Sequence, residues 1–311
     1  MKPINCTFLL ALLMSCFLLP TVLVQAENAT PLTPREQAIH ALNRMSFGPQ
    51  PGQVDRVSKM GWEKWAERQL EPESIDDGEL DKRLKENNPS LFMGSHEIEQ
   101  NYMPERLSKE EQKNLSAEER QKLNKKRNQL RGKLGNELIS SVIVRAAQSE
   151  RQFQEVIVEF WRNHLNVYLP KVRYAANHYE QNVIRKHAFG KFEELIMASA
   201  KHPAMLIYLD NHISKSSGLN ENYARELMEL HTLGVDNHYT QEDVVELARV
   251  LTGWTCGRKK GEDGLNTYGF IFNPRFHDKN SAKIVGLEIE GDGGLGDGEK
   301  IVLHLARHKG T

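Results

Sequence analysis

Cysteine is scarce in this sequence. It occurs three times, and two of the three, Cys6 and Cys16, lie within the first 26 residues. If that N-terminal stretch is removed, Cys256 alone remains, and the mature chain cannot form an intrachain disulfide. We therefore expect the fold to depend on an apolar core rather than on covalent crosslinks.

The sequence also lacks an excess of positive or negative charge. After its first 26 residues it lacks long apolar runs. Its 41 Lys and Arg residues nearly balance 42 Asp and Glu residues, for a formal net charge of −1. This balance does not favour a nucleic-acid-binding surface, so we expect no nucleic-acid partner. We also expect no membrane span in the mature chain, because no later apolar run is long enough to cross a bilayer.

Residues 1–26 have the features of a secretory signal peptide. Lys2 precedes an apolar run over residues 8–19, and Val24 and Ala26 place small residues at the −3 and −1 positions of a cleavage site. An uncleaved N-terminal anchor is the alternative, since the apolar stretch approaches the roughly 18 residues that can span a bilayer. We expect an exported protein, periplasmic or extracellular, whose mature chain begins near Glu27.

The spacing of apolar residues predicts a mostly α-helical protein, arranged as a multi-helix orthogonal bundle. After the signal peptide we expect an N-terminal helical cap (33–75), a charged helical insertion (76–137) and a central helical bundle (138–254). The remaining segment (255–311) is rich in glycine and should hold at most a short β-hairpin. In that segment, strands are predicted at 268–272 and 283–287, a loop at 291–298, and the start of a helix at 299–307.

Local signals mark where several helices begin. Thr33, Pro34 and Glu36 fit the N-cap, N1 and N3 positions of a first helix. Ser108 and Ser116 each precede a glutamate by three residues, which is the spacing of a capping box. These signals predict helix starts in the cap and in the insertion.

Two helices of the central bundle are predicted from apolar spacing alone. The buried face of the first should consist of Leu138, Ile139, Val142, Ile143 and Ala146. The buried side of the second, within residues 151–167, should consist of Val156, Ile157, Phe160, Trp161 and His164. We expect both faces to pack into the core.

The densest set of polar residues that a core would not require lies in residues 219–254. Two helices are predicted there, the first ended by Gly234 and the second started by Thr240 with Asp243 at N3. A helical wheel places the following residues on the polar side of the first helix: Glu221, Asn222, Arg225, Glu226, Glu229 and Thr232. Its apolar side should include Tyr223, Ala224, Leu227, Met228, Leu230 and His231.

The strings that form this pair of helices, NENYARELMELHTLG and YTQEDVVELARVLTGW, resemble the signature segments of a large bacterial family named for domain of unknown function 1800. Further similar segments are AIHALNRMSFGPQPGQVDRV, FWRNHLNV, PAMLIYLDN, and FHD with its later KIVG. The resemblance covers most of the chain beyond residue 33. It implies no settled activity, and because members of the family continue past the point that corresponds to Thr311, it implies that this chain is a fragment.

One hypothesis for the polar residues is a divalent metal site. Glu226 and Glu229 would combine with a histidine from another segment, because carboxylates and imidazoles bind such ions well. The candidate ligands outside the helix are His164, His277 and Asp278. A divalent metal is the cofactor that this hypothesis predicts.

A second hypothesis is general acid–base hydrolysis of a substrate such as a polysaccharide. The candidate catalytic residues are Glu226, Glu229, Arg225 and Asn222. The candidate substrate-binding residues are Asn220, Asp210 and Asn211. The sequence contains no serine elbow, Walker-type loop or dinucleotide fingerprint, so acyl-transfer, nucleotide and nicotinamide chemistry are not supported.

A third hypothesis gives these side chains a structural role. Arg225 has the i, i+4 spacing of an ion pair with both Glu221 and Glu229. Buried networks that include Asp210 and Arg249 could also lock helices together. Two classes of function stay open: an exported hydrolytic or metal-assisted enzyme, and a non-catalytic binding or assembly component of the envelope, whose partner would be an envelope protein or a polysaccharide.

Overall fold

The computed structural model describes residues 31–103, 107–235, 237–260 and 266–311. The predicted signal peptide lies outside the described residues. Within these ranges the prediction of a mostly α-helical protein is confirmed, with fifteen α-helices and two small antiparallel sheets. No helix in the described part of the chain combines the length and the apolar character needed to cross a membrane.

The helices follow one another closely through the chain. Those of the first half are α1 (Pro34–Met45), α2 (Gln53–Met60), α3 (Trp62–Leu70), α4 (Gly78–Asn87), α5 (Ser95–Tyr102), α6 (Lys109–Asn114) and α7 (Ala117–Gln148). Those of the second half are α8 (Gln152–His164), α9 (Leu169–Val172), α10 (Ala176–Tyr179), α11 (Phe192–Ala200), α12 (Pro203–Tyr208), α13 (Asn222–Glu229), α14 (Gln241–Val250) and α15 (Leu295–Arg307). A π-helical turn, Glu180–Arg185, continues α10.

Two antiparallel strand pairs lie between α14 and α15. Strand β1 (Trp254–Lys260), which was not predicted, pairs with β2 (Asn266–Phe272), which contains the strand predicted at 268–272. A second, three-residue pair joins β3 (Ala282–Ile284) to β4 (Leu287–Ile289). Val285 (φ 47°) and Gly286 (φ 77°) form the turn, so residues predicted as one strand at 283–287 fold back on themselves.

The helix starts that were predicted from local signals are confirmed. Thr33, Ser108, Ser116 and Thr240 each form a capping box, in which the side chain accepts from the N3 backbone N–H and the N3 carboxylate accepts from the cap. The local sequence is sufficient to predict these helix starts because both partners of each hydrogen bond lie within four residues.

One large apolar core runs from Val158 in α8 to Leu305 in α15. Trp254 is fully buried in it, where β1 begins. Gly298 of α15 packs directly on this indole, and a Cβ built at position 298 would lie 2.5 Å from Cζ2 of Trp254. Helix α15 therefore closes the central core, and the close approach requires glycine.

The predicted buried face of the helix beginning at Leu138 is wrong in part. Its residues belong to the longer helix α7, in which Leu138 is half-buried against the central core, whereas Ile139 and Ile143 are 50% and 62% exposed. The side that α7 buries consists of Leu134, Glu137, Ser141 and Arg145. A polar helix side can be buried when its groups are paired, and Arg145 reaches Asp81 of α4 at 3.0 Å.

The predicted buried side of α8 is also wrong in part, since Phe160 is 55% exposed. The most buried side chains of α8 are Gln152, Glu155 and Val158. Glu155 receives both terminal nitrogens of Arg185 at 2.6 and 2.7 Å, and this two-point ion pair ties α8 to the π-helical turn.

Candidate active site

The polar helix α13 is shorter than predicted and ends at Glu229. Tyr223, Ala224, Leu227 and Met228 are buried as expected. Leu230, expected on the apolar side, is 54% exposed because it already lies beyond the last helical turn.

Arg225 pairs with only one of its two predicted partners. Its guanidinium lies 3.2 Å from the Glu221 carboxylate and donates to the side-chain oxygen of Gln241 at 2.8 Å. Among the described residues, the carboxylates of Glu226 and Glu229 make no ion pair or hydrogen bond. Burial and the neighbouring charge of Glu229 raise the pKa of Glu226, and Arg225 lowers it.

The asparagine and aspartate residues proposed for catalysis and substrate binding take part in structural contacts. Oδ1 of Asn220 accepts from the backbone N–H of Asn222 at 3.0 Å, ahead of α13. Asn211 is 1% exposed and donates to the carbonyl oxygens of Leu251 and Trp254. Asp210 pairs with Lys171 at 2.8 Å.

The candidate metal ligands are not brought into one ligand set. His164 Nε2 lies 3.1 Å from the carbonyl oxygen of His231, and His277 Nδ1 lies 2.9 Å from that of Thr252. Asp278 pairs with Arg249 at 3.0 Å. Within the described ranges, no group of three or more His, Cys, Asp or Glu residues is arranged to hold a metal ion.

A well-formed cleft lies elsewhere, between the start of α5, the segment around α9 and α10, α12 and the β1–β2 hairpin. Its volume is about 620 Å³. None of the ten candidate site residues lines it. Its ionisable lining includes Glu99, Lys171, His178, His202, His212 and Lys259.

Hydrogen bonds fix the tautomer of His178 in this cleft. Nδ1 of His202, the N-cap of α12, accepts from the backbone N–H of Ala204 at 3.1 Å. Neutral His202 must therefore carry its proton on Nε2, which lies 2.9 Å from Nδ1 of His178. Nδ1 of His178 is then an acceptor, and the ring proton of His178 is on Nε2. Burial lowers the pKa of His202 well below its ordinary value and also lowers the pKa of His178, so both rings are held neutral.

His212 has the opposite arrangement. Its Nδ1 lies 3.2 Å from the carbonyl oxygen of Leu206, which can only accept, so Nδ1 carries the proton. Nε2 of neutral His212 is therefore an acceptor, and it has no hydrogen-bond partner among the described residues. One cleft thus holds an imidazole that donates through Nε2 and another that accepts through Nε2.

Glu99 supplies a buried carboxylate to the same cleft. Its side chain is 10% exposed, and one oxygen lies 3.1 Å from Arg258 on β1. The other oxygen, Oε1, is buried and has no partner among the described residues. A buried acceptor left unpaired is costly, which favours a donor from a bound molecule at this position.

A protein-family model matches residues 40–311, which is most of the chain, and its description is Protein of unknown function (DUF1800). The chain belongs to that family. It matches no curated protein and no solved structure.

The cleft of this DUF1800 chain was missed because its residues come from segments that looked structural in the sequence. Glu99 belongs to the charged insertion, and His202, which stands before Pro203, was given no functional role. The one available signal was Pro203 at a helix N1 position, since this makes the preceding histidine an N-cap whose ring is held by backbone.

Proposed function

We propose that the chain is an exported hydrolytic enzyme that uses general acid–base catalysis in the cleft between α5, α12 and the β1–β2 hairpin. The observation that carries the proposal is the pair of opposite tautomers, His178 with its proton on Nε2 and His212 with an open Nε2 acceptor. A hydrolytic step needs one group of each kind.

The two histidines would take separate roles. Nε2 of His212 accepts a proton from water as the water attacks the substrate, and it returns that proton to the leaving group as the bond to the leaving group breaks. The hydrogen bond to Leu206 holds the ring in place. Nε2–H of His178 donates to the substrate oxygen on which negative charge develops. Because His178 stays neutral, it polarises that oxygen by hydrogen bonding and does not release a proton.

Turnover of a panel of chromogenic carboxylic esters, phosphate monoesters and glycosides tests this proposal. We expect hydrolysis of at least one class, with a loss of about 10²-fold or more in kcat for His212→Gln and for His178→Phe. His304→Gln is the matched control, because His304 lies outside the cleft against Val285. Full activity in both cleft variants, or no turnover of any class by folded wild-type protein, would refute it.

Export is supported by the composition of residues 1–26 alone. We expect expression in a bacterial host to yield protein in the periplasm or medium whose N-terminal residue, read by Edman degradation, is at or close to Glu27. Recovery of the protein in the membrane fraction with residues 1–26 still attached would favour the uncleaved N-terminal anchor.

A non-catalytic binding role in the envelope is the second candidate, and an exposed apolar groove favours it. The groove has a volume of about 640 Å³ and is lined by Phe47, Pro49, Val142 and Ile143, among others. An envelope partner captured by crosslinking from wild-type cells and lost with Ile143→Ser, while hydrolysis is absent, would favour this role over the enzyme.

A further inference from the structure

His178 presents a hydrogen-bond donor to the cleft that lacks an acceptor among the described residues. The chain of contacts from the Ala204 N–H through His202 leaves His178 with its proton on Nε2. His178 lines the cleft, and Nε2 has no acceptor among the described residues. A fixed donor in a cleft matches an oxygen atom of a ligand.

The lysines that line the cleft differ in whether an acidic side chain neutralises them. Lys171 is neutralised by Asp210 at 2.8 Å, and Lys201 is paired with Glu299. Lys259 on β1 lines the same cleft and has no ion-pair partner in the described part of the chain. Its charge is therefore available to a ligand.

A glycine on the neighbouring strand makes room for the Lys259 side chain. A Cβ built at Gly269 of β2 would lie 3.3 Å from Cε of Lys259 and 4.0 Å from its Nζ. The lysine thus lies along the β1–β2 surface, next to Gly269 and Phe270 in the wall of the cleft.

The rest of the wall is largely apolar near these groups. Ile98, Val172, Ile207 and Phe270 all line the cleft. Such a surface suits a ligand that carries an apolar body together with its charged group.

We infer that the cleft contains an oxyanion subsite, in which Nε2–H of His178 and the ammonium of Lys259 bind a carboxylate or phosphate group on a ligand with an apolar body. This inference rests on the proposed function to the extent that it names the substrate class of the same cleft. His178 and Lys259 would each donate a charge-assisted hydrogen bond to one oxygen of the anionic group.

Titration of the full chain with inorganic phosphate and with benzoate tests the subsite, followed by ¹⁵N NMR of the histidine side chains. We expect the Nε2 resonance of His178 to shift on binding while the ring keeps its Nε2–H tautomer. Lys259→Ala should weaken binding about tenfold, the effect of one charge-assisted hydrogen bond. Gly269→Ala should weaken it in the same direction by displacing Lys259.

Lys260→Ala is the matched control, since it removes the same charge one residue along β1, where side chains point to the opposite face. Equal weakening by Lys259→Ala and Lys260→Ala, or no shift at His178 with either probe, would overturn the subsite. Binding of phosphate alone assigns the ligand to phosphate esters, and binding of benzoate alone assigns it to carboxylates.

The subsite and the proposed function can fail separately. Anion binding that depends on Lys259, in a protein that hydrolyses nothing, leaves the subsite standing and removes the hydrolase. Hydrolysis of a neutral ester that depends on His212, with no phosphate or benzoate binding, leaves the hydrolase standing and removes the subsite.

Discussion

The phenol of Tyr102 donates a 2.7 Å hydrogen bond to Oε1 of Glu137, and the two side chains are 2% and 5% exposed. Oε2 of Glu137 accepts from the backbone N–H of Ser90 at 2.9 Å. Burial, reinforced by the carboxylate, raises the pKa of Tyr102. One carboxylate on α7 therefore anchors both the end of α5 and the segment before it, and α5 carries Glu99 into the cleft.

Removing the Tyr102 hydroxyl should destabilise the protein. We expect Tyr102→Phe to lower the free energy of unfolding by roughly 1–3 kcal/mol, because it leaves an oxygen of the buried Glu137 carboxylate unpaired. Urea denaturation followed by circular dichroism measures this. Tyr168→Phe is the control, since Tyr168 is 60% exposed and should change stability by less than about 0.5 kcal/mol. Equal stability of the two variants would contradict the anchoring role.

Because α7 faces the core with an unexpected side, substitutions of two apolar residues on this helix should have opposite sizes of effect on stability. Ile143 is 62% exposed, so Ile143→Ser should change the free energy of unfolding by less than about 0.5 kcal/mol. Leu134 is 2% exposed, and Leu134→Ala should cost about 2–5 kcal/mol. Thermal unfolding of both variants checks the orientation. A large loss at Ile143 would show that α7 buries its apolar side after all.

Glu226 should oppose folding slightly at neutral pH. Its pKa is raised by burial and by Glu229, so the wild type loses stability as pH rises from the ordinary glutamate range through the raised value. Glu226→Gln should therefore raise the melting temperature at pH 7 by a small amount, corresponding to less than about 0.5 kcal/mol after solvent screening.

The matched variant for Glu226 is Glu229→Gln, since each replacement relieves the same repulsion. The double variant should gain less than the sum of the single gains. A clear loss of stability in Glu226→Gln would instead place this carboxylate in a stabilising contact.

The buried ring of His231 should make the protein sensitive to acid. Burial and the nearby His164 lower the pKa of His231 to about 4. Its value in the unfolded chain is about 6.5, so between these values the unfolded state binds more protons and stability falls as pH falls. The loss between pH 7 and pH 4 is on the order of 3 kcal/mol.

Unfolding of wild type and His231→Gln at several pH values measures this term. The variant should lose less stability on acidification. Some dependence should persist, because burial also lowers the pKa values of His178 and His202. Identical pH dependence in the two proteins would mean that His231 is not held neutral by the fold.

The sequence predicted those elements whose causes are local. Thr33 with Glu36, and Thr240 with Asp243, hold both partners of a cap within one helical turn. Val244, Leu247 and Ala248 are buried in α14, where helical spacing alone places them on one apolar side.

Orientation failed where distant partners decide it. Hydropathy predicts that Glu137 and Arg145 are exposed to solvent. In the folded chain Glu137 is paired with Tyr102 and Ser90, and Arg145 is paired with Asp81, so both can be buried. These partners are distant in sequence, and a helical pattern does not reveal them. The same limit hid the cleft. The donor role of His178 depends on His202, whose own tautomer is set by a backbone N–H.

The packing of Gly298 on Trp254 also determines when the core can close during synthesis of the chain. A ribosome makes the chain from its N-terminus, so α15 is synthesised after Trp254 and after the helices that cover its other sides. Until it arrives, Trp254 has no cover on that side, and the β1–β2 hairpin that begins at this residue has no closed core beneath it. The cleft, which uses that hairpin as a wall, is therefore completed only after translation has passed residue 305, and a nascent chain stopped earlier presents an exposed indole to chaperones and proteases.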